Sequence, residues 1–348
     1  MAETPKRVAI ACQGGGSHAA FGAGVLHRLL QDVGERFQLA ALSGTSGGAV
    51  NAALAWSGLI RGGPGEARRS LAGLWRDLAA TEPLDAARNW WGQVLLGLPI
   101  AWEASPYIVD LDADDIMRRH FDTWIRLAEI PQARRLGEPQ LFVGTTDILS
   151  DLACAIRGDG TLLTRKGRGP ERPQADFDDD DLIASIAIPP LYKAVKRRDG
   201  AFWDGLFSVN PPIAVLTNLD PRPDEIWLIQ INPQRLKKVP DTARAIADRR
   251  NELSGNVSLN KELDMIETIN GLVRDGRIKD PRYKTIDVRV VGLEETGLEL
   301  DSASKFDRRP DLLETLFRHG EELAPRFYEH RSDRVAYLAR AMQMPAMR

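Results

Sequence analysis

Cysteine is almost missing from this chain: Cys12 and Cys154 are the two among 348 residues. Each sits among apolar residues in strand-like sequence, which argues against a disulfide framework and against a cysteine zinc site. A reducing, cytoplasmic setting is expected. Histidine is scarce too, and His18, His27, His120, His319 and His330 form no cluster with ligand spacing, so neither a metal nor a cofactor is expected. Charge of one sign is not in excess. Lys+Arg number 46 against Asp+Glu 49, for a net charge of -3, which leaves no electrostatic footprint for nucleic acid. No uncharged apolar run reaches the roughly 18 to 20 residues of a membrane span. The apolar run Val8 to Ala11 is also too short for the core of a secretion signal. Any membrane contact is therefore expected to be peripheral.

What is present suffices for a large core, with 43% hydrophobic and 27% charged residues and no internal repeat. Arg7 to Cys12 reads as a buried strand, followed by Gln13-Gly14-Gly15-Gly16. A helix comes next, with Phe21, Val25, Leu26, Leu29, Leu30 and Val33 on its apolar face. Gln38 to Ser43 repeats the pattern, ending in Gly44-Thr45-Ser46-Gly47-Gly48 before a small-residue helix from Ala49 to Trp56. Two consecutive strand-turn-helix units predict a parallel sheet covered by helices. From about Leu59 to Arg135 the periodicity weakens, and Trp75, Trp90, Trp91, Trp102 and Trp124 accumulate. This region reads as an insertion, either a packed helical layer or a lid beside an apolar cleft. The acidic run Asp178 to Asp181 is expected to open a helix, since carboxylates are stabilised by the exposed amides there. Further strands are expected at Gln140 to Thr145, Leu152 to Ile156, Thr161 to Thr164, Glu225 to Ile231 and Lys284 to Val291. Helical sequence covers Asp241 to Asp275 and Ser304 to Met342.

Three positions carry chemistry. Gly44-x-Ser46-x-Gly48, where a strand turns into a helix, fits a nucleophile elbow, whose strained serine leaves no room for side chains two residues to either side. Gly14-Gly15-Gly16, at another strand-to-helix turn, fits a backbone cradle for the oxyanion of acyl transfer. It also satisfies the loose dinucleotide form Gly14-x-Gly16-x-x-Ala19. That fold, however, wants an acid at the end of the second strand, where this chain has Ser43-Gly44-Thr45-Ser46. A serine needs a base. No histidine is placed as a triad would have it, whereas Asp204 ends the strand-like Ala201-Phe202-Trp203 and precedes Gly205, at a position from which a carboxylate can reach the top of a sheet.

Taken in order, Gln13 to Ala19, Gly44 to Gly48 and Asp204-Gly205 resemble the oxyanion loop, serine elbow and aspartate motif of the patatin-like phospholipases. Ser185-Ile186-Ala187-Ile188-Pro189-Pro190-Leu191 and Asn210-Pro211-Pro212 add to the similarity, which covers about residues 8–218. The resemblance implies an α/β fold, a three-layer α/β/α sandwich with a mostly parallel central sheet. Residues 8–218 would form the catalytic domain, with the tryptophan-rich insertion at about 59–135. Residues 219–348 would be a largely helical continuation packed on the same domain. It further implies Ser46 as nucleophile, Asp204 as base, and the amides of Gly15 and Gly16 as oxyanion donors, with Gly14 shaping the loop and Gly44 and Gly48 forming the elbow. The substrate would be a lipid or phospholipid, met transiently at a membrane surface through the tryptophan-bearing insertion; a lipid-sensing protein with little turnover is the alternative. His18 and Ala19 stand where the family's loop usually has Arg or Lys and then Gly, and Leu206 where the aspartate motif has Gly or Ala. These departures bear on rate and substrate.

Overall fold

The structure is a computed structural model that describes residues 5–87, 89, 113–150, 152–164, 175–189, 192–236, 238–298, 300–301, 304–329 and 333–334. Strand β1 (Lys6–Cys12), helix α1 (Ala19–Leu29), strand β2 (Phe37–Thr45) and helix α2 (Gly47–Gly62) form the first two units. From Val8 to Cys12 and from Leu39 to Thr45 every residue is buried, which is the signature of strands covered on both faces. Helix α3 (Pro64–Asp77) and helix α4 (Ala113–Trp124) follow. After the short helix α5 (Gln132–Arg135) come strands β3 (Gln140–Asp147), β4 (Leu152–Arg157) and β5 (Leu162–Thr164). Helix α6 (Asp179–Ile186) leads to the hairpin of β6 (Val195–Arg197) and β7 (Gly200–Asp204). Strand β8 (Glu225–Gln230), helix α7 (Ala243–Arg274), strand β9 (Asp287–Gly292) and helix α8 (Pro310–Leu323) complete the order.

The strands make one nine-stranded sheet in the order β5-β4-β3-β2-β1-β8-β9, with β7 beside β3 and β6 beside β7. Strands β3, β2, β1, β8 and β9 are mutually parallel, while β4, β5 and the hairpin are antiparallel. Val8, Ile10 and Leu42 face a core shared with α1, α2, α3 and α8. Ala9, Ala41 and Leu228 face the other side, covered by Leu259, Leu263 and Ile266 of α7. The result is the expected three-layer α/β/α sandwich with a mostly parallel sheet. Helix α1 has almost no polar face because it lies between the sheet and α8. A Cβ on Gly24 would stand 1.9 Å from the Phe317 carbonyl oxygen, and one on Gly320 2.1 Å from that of Phe21.

Two strands after residue 218 lie inside this sheet: β8 pairs with β1 from Val8↔Glu225 to Cys12↔Ile229, and β9 pairs with β8. Asp178 caps α6, accepting from the Asp180 amide at 2.9 Å. Two further acids of the run pair with arginines: Asp180 with Arg118, and Asp181 with Arg197 and Arg198. Within the expected insertion, Trp124 closes on Gly73, whose added Cβ would stand 2.1 Å from the indole ring. The Trp124 Nε1 donates to Asp77 at 2.8 Å. Trp90, Trp91 and Trp102 lie outside the described residues.

Candidate active site

The register of β3 creates the site. Its first half pairs with β2 up to Gly144↔Thr45, where β2 ends; the next residue, Thr145, pairs with Asp204 at the end of β7. Strand β7 thus takes over the edge of β3 that β2 leaves, and residues 46 and 204 become neighbours. At Ser46 the backbone has φ 55 and ψ -132, a conformation that L-residues adopt only under strain. Tight packing holds it there. A Cβ on Gly44 would lie 2.3 Å from the Gly48 oxygen, and one on Gly48 2.2 Å from the Cys12 oxygen. The Ser46 amide donates to Ser185 Oγ at 3.0 Å, and Ser185 Oγ donates to the Gly144 carbonyl at 2.8 Å. The segment from Ser185 onward is therefore bound to both the elbow and β3.

Asp204 is buried; its carboxylate accepts from the Leu206 amide at 2.8 Å and lies beside Ser46, whose hydroxyl favours its charged form. Desolvation lifts its pKa from 3.8 to about 7, against the opposing pull of the Ser46 hydroxyl and the Leu206 amide. A carboxylate so placed is a proton acceptor of useful strength near neutrality, and it shares the cavity wall with Ser46.

The glycine turn lies across from this pair. Gln13 anchors it: its side-chain oxygen accepts from the amides of Ile231 and Asn232, both at 2.8 Å, and its Nε2 donates to Asn256 at 3.2 Å. The Gly14 amide donates to Asn210 Oδ1 at 2.7 Å, and a Cβ there would stand 2.7 Å from Ser46 Cβ. Gly14 thereby sets the closeness of loop and serine. The amides of Gly15 and Gly16 donate to no acceptor among the described residues. Both glycines line a cavity of about 380 Å³ together with Ser46 and Asp204. Most of its wall is apolar, from Val50, Leu74, Trp75, Leu78, Met117, Ile186, Ile188, Leu206, Phe306 and Leu313.

His18 is buried, with Nε2 2.7 Å from Ser304 Oγ, and burial pushes its pKa down to about 3. It is neutral near neutral pH and there cannot stand in for the fixed cation of the family's loop. None of His18, His27, His120 and His319 lines the cavity, and His330 lies outside the described residues. Sequence reasoning gave Lys305 no role, yet it lines the cavity and donates to Asn232 Oδ1 at 2.9 Å. Its carbonyl oxygen would be 2.1 Å from a Cβ on Gly16. A lysine some 100 residues past the last motif carries no local signal. Gln13, Ser185 and Asn210 did lie in recognised motifs, and their geometry now explains their place.

A strained serine, a buried carboxylate and unused amides around an apolar cavity together make an arrangement of the kind acyl transfer uses. The family model for the patatin-like phospholipases matches residues 10–217, and the chain belongs to that family of lipid acyl hydrolases. No curated protein gives a significant match. Among solved structures the chain is similar to the crystal structure of VipD from Legionella pneumophila, at 12% identity and a TM-score of 0.43, covering 93% of this chain and 67% of that one.

Proposed function

We propose that the protein hydrolyses carboxylic esters of lipids through an acyl-enzyme on Ser46. The observation that carries this reading is the placement of the strained Ser46 and the buried Asp204 side by side on the wall of one apolar cavity. Asp204 takes the proton as Ser46 Oγ attacks the acyl carbon, and passes it to the departing alcohol. It then takes a proton from the attacking water and returns it to Ser46 Oγ as the acid leaves. The Gly15 and Gly16 amides hold the oxyanion, each contributing about 3 kcal/mol to the transition state. The acyl chain occupies the apolar wall formed by Leu74, Trp75 and Leu313. No cofactor takes part. The enzyme works in the cytoplasm and meets lipid at a surface; no described helix is long and apolar enough to cross a membrane.

The test is a panel of phospholipids, lysophospholipids and p-nitrophenyl esters, run with wild type, Ser46→Ala, Asp204→Asn and the double variant. Each single change should lower kcat/KM by at least about a thousandfold, and the double should be scarcely worse, because nucleophile and base act as one unit. Losses that multiply would sink the dyad. A wild type that binds lipid without turnover and resists a fluorophosphonate label would favour a lipid sensor instead.

A further inference from the structure

Helix α7 carries a stripe that the fold leaves open. Its inner positions, Leu259, Leu263 and Ile266, are buried against the sheet. Its outward face shows Ile246, Leu253 and Val257, which are 46%, 45% and 48% exposed. Spacings of seven and four residues put these three on one line of the helix. Arg250 and Lys261 stand on the same line, both exposed. The loop leading into α7 adds Leu236 and Val239, the latter 86% exposed, beside the exposed Lys238. Residues 235–250 contain six Lys/Arg against two Asp, in a chain whose net charge is -3.

The outer face of a surface helix is ordinarily polar; apolar side chains interleaved with cations are the pattern of a helix lying in a membrane interface. We infer that this face, Leu236, Lys238 and Val239 together with the outer stripe of α7, docks the protein on an anionic lipid bilayer. The inference rests on the reading of the protein as a lipid hydrolase and adds where, and to which surface, it binds. Charge complementarity selects the occupant. A negatively charged protein is repelled by an anionic membrane except where its cations gather, so this face turns toward it. Nucleic acid would also want the cations, but it would make no use of bare Val239 and Leu253, and the stripe has no aromatic ring on which a base could stack. The position suits the chemistry. On the inner side of α7, a Cβ at Gly255 would stand 3.6 Å from Leu206 Cδ1, and Leu206 lines the cavity. The stripe is therefore about one helix diameter, roughly 10 Å, from the cavity wall.

The experiment measures vesicle co-sedimentation of the full chain with phosphatidylcholine alone and with about 30% phosphatidylglycerol added. Wild type should favour the anionic vesicles, and salt should weaken that preference. Arg250→Glu with Lys261→Glu should weaken binding to them by about 30-fold or more, at roughly fivefold per cation. Leu253→Ser with Val257→Ser should weaken binding while leaving part of the salt dependence. Both double variants should retain wild-type turnover of a soluble p-nitrophenyl ester. That readout separates this inference from the hydrolase reading, which fails only if the soluble ester is not cleaved. Equal binding by wild type and both variants, or retention on immobilised RNA or polyglutamate with no vesicle binding, would overturn the inference.

Discussion

At Asp204, burial and chemistry pull in opposite directions. The carboxylate ordinarily titrates near 3.8, and its environment holds it near 7. Below about 4 both folded and unfolded chains carry the proton, and the folded state loses nothing. As pH rises toward 7 the unfolded chain ionises first, so stability falls through that window and the loss is complete above it. The same ionisation creates the proposed base, so kcat/KM should rise with pH to a plateau above about 7, where Asp204 costs the fold most. Asp204→Asn should therefore be inactive yet melt higher than wild type at pH 8, with the difference shrinking as pH is lowered toward 4. Melting curves across that range check it; a variant that is less stable at every pH would mean that the carboxylate's contacts with Leu206 and Ser46 outweigh its desolvation. Such an exchange of stability for activity is common where a site needs a desolvated charge.

Among the elements, the β6–β7 hairpin has the most demanding task, because it carries Asp204 to the end of β2. Its two turn residues, Arg198 and Asp199, have φ 51 and 61, as a tight two-residue turn requires. The Arg198 side chain then runs inward to a fully buried pair with Asp181 of α6, where its Nη2 lies 2.8 Å from Asp181 Oδ2. Arg198→Met should destabilise the protein by about 3 kcal/mol, because it leaves the buried Asp181 with only the Arg197 guanidinium 3.2 Å away, whereas Asp181→Leu with Arg198→Met should recover most of that. Chemical denaturation measures both. This pair also marks where the sequence stops being legible. The helix start at Asp178 was readable because acids at a first turn follow a local rule, and the two strand-turn-helix units were readable from their period and glycines. That Arg198 would reach Asp181, that β7 would replace β2 beside β3, and that Ser185 would bridge Ser46 and Gly144 depend on long-range register, which no local pattern encodes.

For the molecule as a whole, the family match ends at residue 217 but the fold does not. Strands β8 and β9, helix α7 and helix α8 all lie beyond it. Ile226, Trp227, Leu228 and Ile229 are buried in a strand that pairs along β1. A chain cut at residue 218 should leave β1 as an open apolar edge and aggregate; a monomeric, cooperatively melting fragment in size-exclusion and circular-dichroism measurements would contradict this. The sequence indicated that residues 225–231 and 284–291 are strands, but not that one of them neighbours the first strand. Strand order is settled by which apolar faces cover one another.

The wall supplied by Lys305, Phe306, Arg308 and Leu313 also puts the site on a clock. Ser46 leaves the ribosome early, and the residues that roof the glycine turn leave it almost 270 positions later. At roughly 5–20 residues per second, that is tens of seconds of synthesis. Throughout that interval a nascent chain holds its serine elbow without the cavity wall beside it, and β8 has still to arrive alongside β1. On the proposed reading, ester cleavage thus waits for residues 305–313, and a nascent chain that stops short of them holds its serine without a finished cavity.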